Sequence, residues 1–162
     1  MVGNHTETHC NDEGLDCSKL NADDFLEYEL IPTEEAIEQA TGVKPRYFRF
    51  PGGSADCEVK GAAEERGYAV VGWHIDTADW CFASGKGYCK VSWLDEEFRN
   101  DFMGYTLSQL RSKKQGGIML MHDIHSFTVG QLDELLTTIE GEGFTFTTLD
   151  DTESFPNLNA GL

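Results

Sequence analysis

His5 and His9 stand four residues apart in the stretch Gly3-Asn4-His5-Thr6-Glu7-Thr8-His9, the separation at which one turn of chain can aim two imidazoles at a single ion. Thr6, not Glu, follows the first histidine, which excludes the H-E-x-x-H pattern of helix-borne zinc proteases. The plainer alternative is a pair of solvated loop histidines. Arg49-Phe50-Pro51-Gly52-Gly53 sets a guanidinium, able to orient a carboxylate or hold an anion, beside glycines whose backbone N–H groups can donate to a developing oxyanion. A simple turn would read the same way. Asp76-Thr77-Ala78-Asp79-Trp80 brings together two carboxylates and an indole. Either aspartate can hold an imidazole by hydrogen bonding, and Trp80 can stack on a sugar face or belong to the core. His122-Asp123-Ile124-His125 follows an apolar run. His122 is the acid–base candidate of this group, because imidazole titrates near neutrality and suits protonation of a leaving group.

The elements that must carry these clusters alternate in period. Asn21, with Asp24 three residues on, predicts a capped helix through Phe25, Leu26, Leu30 and Ile31 that ends or kinks at Pro32. Thr33 then caps a second helix that Gly42 terminates. A short aromatic strand over 45–50 stops at Pro51-Gly52-Gly53, and a helix over 55–66 ends at Gly67. The run 68–75 reads as one strand buried on both faces, followed by a long loop over 76–92 and a helix over 93–114. A second apolar strand over 117–121 delivers His122, a helix over 129–141 follows, and 144–149 reads as a last strand before a polar tail, 151–162. Helix and strand in alternation predict parallel βα units, with the polar clusters at strand ends where α/β proteins keep their sites.

Composition narrows the partners. The chain of 162 residues has 29 acidic against 12 basic side chains, a formal charge of -17. That surface repels phosphate backbones and argues against nucleic acid. No apolar run is long enough to span a membrane, and Met1-Val2-Gly3-Asn4-His5 turns polar too early for a signal peptide, so any export signal is expected upstream. Five cysteines include two close pairs in loop-like stretches, Cys10 with Cys17 and Cys81 with Cys89, whose bridging would mark an oxidising compartment.

In this order the clusters resemble the polysaccharide deacetylases, the NodB-homology carbohydrate esterases of family 4. The first looks like the family's H-[ST]-x-x-H motif, which implies His5 and His9 as ligands of a divalent ion, Zn2+ or else Co2+ or another. Phe48 to Gly53 looks like R-x-P-x-G, which implies that Arg49 orients the catalytic base and that the N–H of Gly52 lines an oxyanion hole. Glycine stands here where the family usually has an aromatic. Asp76 to Trp80 looks like D-x-x-D-W, which implies Asp79 as the partner of the catalytic histidine. Leu120-Met121-His122 looks like L-x-H, which implies that Leu120 lines the acetyl pocket and His122 is the general acid. Trp80 is then expected to contact substrate.

The resemblance implies a secreted or periplasmic enzyme that hydrolyses N-acetyl groups from N-acetylglucosamine-containing polysaccharide, peptidoglycan or chitin, with metal-bound water as nucleophile. Its fold would be a distorted (β/α)7 TIM-like barrel. A catalytically inactive carbohydrate-binding homologue and a metal-dependent O-acetyl xylan esterase are the alternatives. One departure is large. The family opens with T-F-D-D-G on its first strand, supplying the general base and a third metal ligand, and no such stretch precedes His5. Residues 1–162 are therefore expected to form a barrel domain that is incomplete at its N-terminal side and has little activity alone. An upstream segment or a second chain would complete it.

Overall fold

Asn21 opens the first helix as expected: its side chain accepts the backbone N–H of Asp24 at 2.8 Å, satisfying one of the donors that a helix start leaves unpaired. The structure, a computed structural model, describes residues 1–10, 19–53, 55–113 and 116–160. The chain divides into two units, Met1–Gly72 with Thr148–Leu162, and Trp73–Thr147.

In the first unit α1 (Ala22–Phe25) passes through a π-helical turn (Leu26–Leu30) into α2 (Ile31–Thr41). The expected break at Pro32 and new cap at Thr33 do not occur. Pro32 falls in the first turn of α2, and the wide turn before it gives the ring the room that an α-helical carbonyl would deny it. Gly42 closes α2 in the left-handed conformation, φ 76°, donating its N–H to Glu38 O at 2.7 Å. β1 (Tyr47–Phe48) pairs in parallel with β2 (Ala69–Val70), with α3 (Cys57–Glu65) between them, and Asn4 bridges to Phe48. Phe25, Leu30, Phe48, Phe50, Val59, Ala63 and Tyr68 form the core of this unit, the Phe48 and Phe50 rings meeting edge to face at 4.5 Å. Burying each large apolar side chain contributes roughly 1.5–3 kcal/mol.

A buried carboxylate ties the same unit together. Glu34 accepts from Arg66 Nε and Nη2 at 3.1 and 2.7 Å and from the Tyr68 hydroxyl at 2.9 Å, with Lys44 Nζ 3.1 Å away. Burial pushes its pKa up, and these partners more than reverse that, holding it below the usual carboxylate value. Asn4 Nδ2 donates to the Tyr68 hydroxyl at 3.2 Å and to Leu30 O at 2.9 Å, so the network reaches the residue beside His5.

In the second unit β3 (Ile75–Asp76) pairs in parallel with β4 (Met119–Leu120). The single strand expected over 68–75 is in fact two: Ala69–Val70 pairs with β1, and Ile75–Asp76 with β4. An apolar run buried on both faces carries no period to mark where the partner changes. The expected loop over 76–92 contains a helix, α4 (Asp79–Ser84), bridged to the following loop by a disulfide, Cys81–Cys89, with Cα atoms 5.2 Å apart. Cys17, and with it the expected Cys10–Cys17 bridge, lies outside the described residues.

The helix expected from 93 starts only at α5 (Phe102–Ser112), where Asp101 caps it by accepting Gly104 N–H at 2.8 Å; a 3-10 turn, Glu96–Phe98, precedes it. α6 (Ser126–Gly141) begins three residues before the expected start. The strand expected over 144–149 is absent: no strand pairs with this stretch among the described residues, and Phe146 is 52% exposed. Its aromatic–threonine alternation fits a pleat, but a ladder partner is what makes a strand. The core of this unit gathers Ile75, Phe82, Leu94, Phe102, Leu110, Leu135 and Ile139.

The disulfide closes a short loop, so removing it with the Cys81→Ala/Cys89→Ala pair is expected to cost about 2.5 kcal/mol from loop-closure entropy. Urea denaturation of the paired variant against the oxidised parent measures it. No change would mean that the loop is ordered equally in the unfolded chain.

Candidate active site

His5 and His9 do not lie on a helix. They flank an irregular turn in which Thr6 and His9 both adopt positive φ, 74° and 51°. Their rings approach edge to face with centroids 5.0 Å apart. His5 Nδ1 lies 2.6 Å from the carbonyl oxygen of Arg49. A carbonyl can only accept, so Nδ1 carries the proton and the lone pair of the neutral ring sits on Nε2. This is the arrangement in which a backbone carbonyl sets the tautomer of a metal-ligating histidine. Arg49 thus acts on His5 through its main chain, and its N–H also donates to Asn4 O at 3.0 Å. Its guanidinium is half-buried, and burial lowers its pKa. Two residues on, Pro51–Gly53 forms a 3-10 turn in which Gly52 and Gly53 have φ of 64° and 81°. A Cβ disfavours that conformation, which accounts for glycine at both positions.

The first unit therefore brings His5, His9 and the main chain of Arg49 together. Paired imidazoles suit a borderline divalent ion such as Zn2+, so the donor chemistry fits. Among the described residues no group of three or more His, Cys, Asp or Glu is placed to hold a metal ion. The fit extends to two ligands.

In the second unit the short strands deliver Asp76 and Leu120 side by side in register. Thr77 Oγ1 donates to Leu120 O at 2.9 Å and reinforces the pair. Asp76 Oδ1 accepts Ala78 N–H at 2.9 Å, which stabilises a turn with Ala78 at φ 54°. One oxygen of the Asp76 carboxylate is thus engaged by its own backbone. Asp79 is the one that reaches His122. Fully buried, it accepts from His122 N at 2.6 Å and Thr128 Oγ1 at 2.8 Å through Oδ2, and its Oδ1 lies 2.8 Å from His122 Nδ1. Burial alone would raise the Asp79 pKa; bonds from the His122 ring, the His122 backbone and Thr128 outweigh it and hold the pKa below the usual carboxylate value. The His122 side chain remains 34% accessible. With Nδ1 engaged by the carboxylate, Nε2 is the nitrogen it presents. Leu120 is buried, whereas Trp80, in the first turn of α4, is 40% exposed.

Thr128 escaped the sequence reading. The helix was expected only from 129, which left Thr128 in the preceding loop; because α6 starts at Ser126, Thr128 falls in its first turn, buried, on the Asp79 carboxylate.

Parallel strand pairs joined by helices, with polar side chains gathered at the strand ends, make this an α/β chain. The family model for polysaccharide deacetylases matches residues 1–71. Over 123 residues the chain is 32% identical to the peptidoglycan-N-acetylglucosamine deacetylase PgdA of Listeria monocytogenes, an alignment covering 76% of this chain and 22% of that protein. A chitin deacetylase of Amylomyces rouxii is 29% identical over 124 residues, 76% of this chain and 28% of its own length. A solved CE4-family pseudoenzyme from Bacillus anthracis superposes with a TM-score of 0.65 at 29% identity, covering 89% of this chain and 43% of that one. The chain is thus similar to polysaccharide deacetylases, by the family model over its first 71 residues and by these relatives over most of its length. It spans under a third of the length of the two curated relatives described.

Proposed function

We propose that this chain serves the hydrolysis of N-acetyl groups on N-acetylglucosamine-containing polysaccharide, outside the cytoplasm, as part of a (β/α)7 barrel domain. The observation that carries this reading is the imidazole of His122 held by the buried carboxylate of Asp79 while its far side stays accessible. His5 and His9 are the proposed ligands of a divalent ion, with Nε2 of His5 set by the Arg49 carbonyl. When bound, such an ion supplies Lewis acidity toward the acetyl carbonyl and toward water. Gly52 N–H donates to the oxygen as negative charge develops there. Asp79 keeps the His122 ring in one orientation, and His122 delivers a proton from Nε2 to the departing amine nitrogen as the carbon–nitrogen bond breaks. Leu120 walls the acetyl group and Trp80 offers its exposed face to the sugar. The carboxylate that takes the proton from attacking water is not assigned to a residue of 1–162. The Cys81–Cys89 bridge supports the extracellular setting, and among the described residues no helix is long and apolar enough to cross a membrane.

A second reading, a saccharide-binding homologue without turnover, is favoured by the likeness to a structure described as a pseudoenzyme. Acetate release from an N-acetylglucosamine oligomer, with Zn2+ or Co2+ added, separates the two. In the longest natural form of the protein, release is expected to need the cation and to vanish in the His5→Ala/His9→Ala pair. Residues 1–162 alone are expected to bind oligomer and release little acetate. Oligomer binding without release in the longest form favours the second reading, and binding of neither oligomer nor cation overturns both.

A further inference from the structure

Glu29 has no part in the chemistry above, yet it is 3% exposed and faces the turn between the two histidines. Its Oε2 accepts the backbone N–H of Thr8 at 3.0 Å and its Oε1 accepts the Thr8 hydroxyl at 2.7 Å. The carbonyl of the same residue accepts Glu7 N–H at 3.0 Å. Thr33, one helical turn further, donates its hydroxyl to Glu7 Oε2 at 2.9 Å. Main chain and side chain of Glu29 therefore grip consecutive residues of a segment bounded by Thr6 and His9. Those two hold positive φ, which residues with a Cβ seldom adopt unless their surroundings impose it. The π turn over Leu26–Leu30 is where the clamp sits, and such turns recur where a helix must place a particular group.

We infer that Glu29 is a positioning residue: its carboxylate holds the turn through Thr8 in the shape that brings the rings of His5 and His9 together. For the consequence on cation binding, this inference rests on His5 and His9 as ligands. The clamp itself stands without it. A buried carboxylate gripping a backbone N–H and the adjacent hydroxyl is a template for conformation. Glutamine reproduces the contact, with Oε1 accepting from Thr8 N–H and the amide donating to Thr8 Oγ1; alanine does not.

The test compares the 162-residue chain with its Glu29→Gln, Glu29→Ala and Thr8→Val variants in two measurements, with thermal melting of each as control. Metal-free protein, held above the imidazole titration range, gives the ring tautomer of His5 from long-range 1H–15N correlations. Titration with Co2+, followed by its ligand-field absorption, gives cation affinity. The parent and Glu29→Gln are expected to show one Nδ1–H tautomer at His5 and similar affinity. Glu29→Ala is expected to show mixed tautomers and to bind Co2+ at least about tenfold more weakly, the loss usual when a group supporting a ligand is removed. Thr8→Val should move both readouts the same way by less. A parent chain that takes up no Co2+ removes the metal reading, and the tautomer comparison then decides the role of Glu29 alone. The inference is overturned if Glu29→Ala keeps the parent tautomer and affinity. It is also overturned if Glu29→Gln loses both as fully as Glu29→Ala does. Should Glu29→Ala fail to fold, parent behaviour in Thr8→Val overturns it.

Discussion

Replacing Asp79 with alanine is expected to cost about 3 kcal/mol of stability, because a fully buried acceptor is removed and its donors are left without a partner. Three donors lose their acceptor together: the His122 N–H, the His122 ring and the Thr128 hydroxyl. Urea denaturation should show a lower midpoint at unchanged slope. Acid adds a second signature. The folded pKa of Asp79 lies below its unfolded value of about 3.9. Its stabilising effect is therefore complete above the unfolded value and is lost as pH falls through the folded one. Asp79→Asn should flatten that acid-side loss. An Asp79→Ala chain as stable as its parent, with the same acid limb, would show that the pair is not held in solution.

The largest effect on turnover is expected at His122. His122→Asn keeps a donor where Nδ1 stood, able to reach Asp79, and removes the nitrogen that faces outward. Acetate release by the longest natural form should fall by roughly a hundred- to ten-thousandfold, the usual worth of a positioned general acid. Melting should shift little. A near-normal rate in His122→Asn would remove this histidine from the reaction, whereas equal losses of rate and stability would mark it as structural.

These expectations draw unequally on the sequence. Asn21 and Gly42 were legible because cap and terminator chemistry is local: a side-chain acceptor two or three residues from a bare N–H, and a backbone that accepts positive φ. That an aspartate of Asp76 to Trp80 meets His122 was legible because both stretches follow strands, and parallel neighbours bring strand ends to one side; the choice of Asp79 over Asp76 came only from the family resemblance. What stayed hidden is non-local. Nothing near Pro32 in sequence announces a π turn, because the alternative, a break, satisfies the same missing N–H. Phe144 to Leu149 has a strand's alternation without a partner to pair with among the described residues. Glu29 is a polar residue within a helical pattern and Thr128 stands just before the expected helix start, positions where solvent is the default, and both are buried against groups far away in the chain. The same blindness applies to Arg49, whose carbonyl holds His5 while the side chain attracts the attention.

The wide turn before Pro32 also bears on how relatives of this chain can vary in length. A π turn holds one more residue than an α turn for the same rotation, so deleting exposed Tyr28 would return the helix to ordinary pitch without re-aiming Phe25 or Leu30. Proline would then meet a helix interior, at about 3 kcal/mol, unless it were exchanged in the same step. Insertion and proline are thus expected to be gained or lost as a couple, and a homologue missing one should be missing the other.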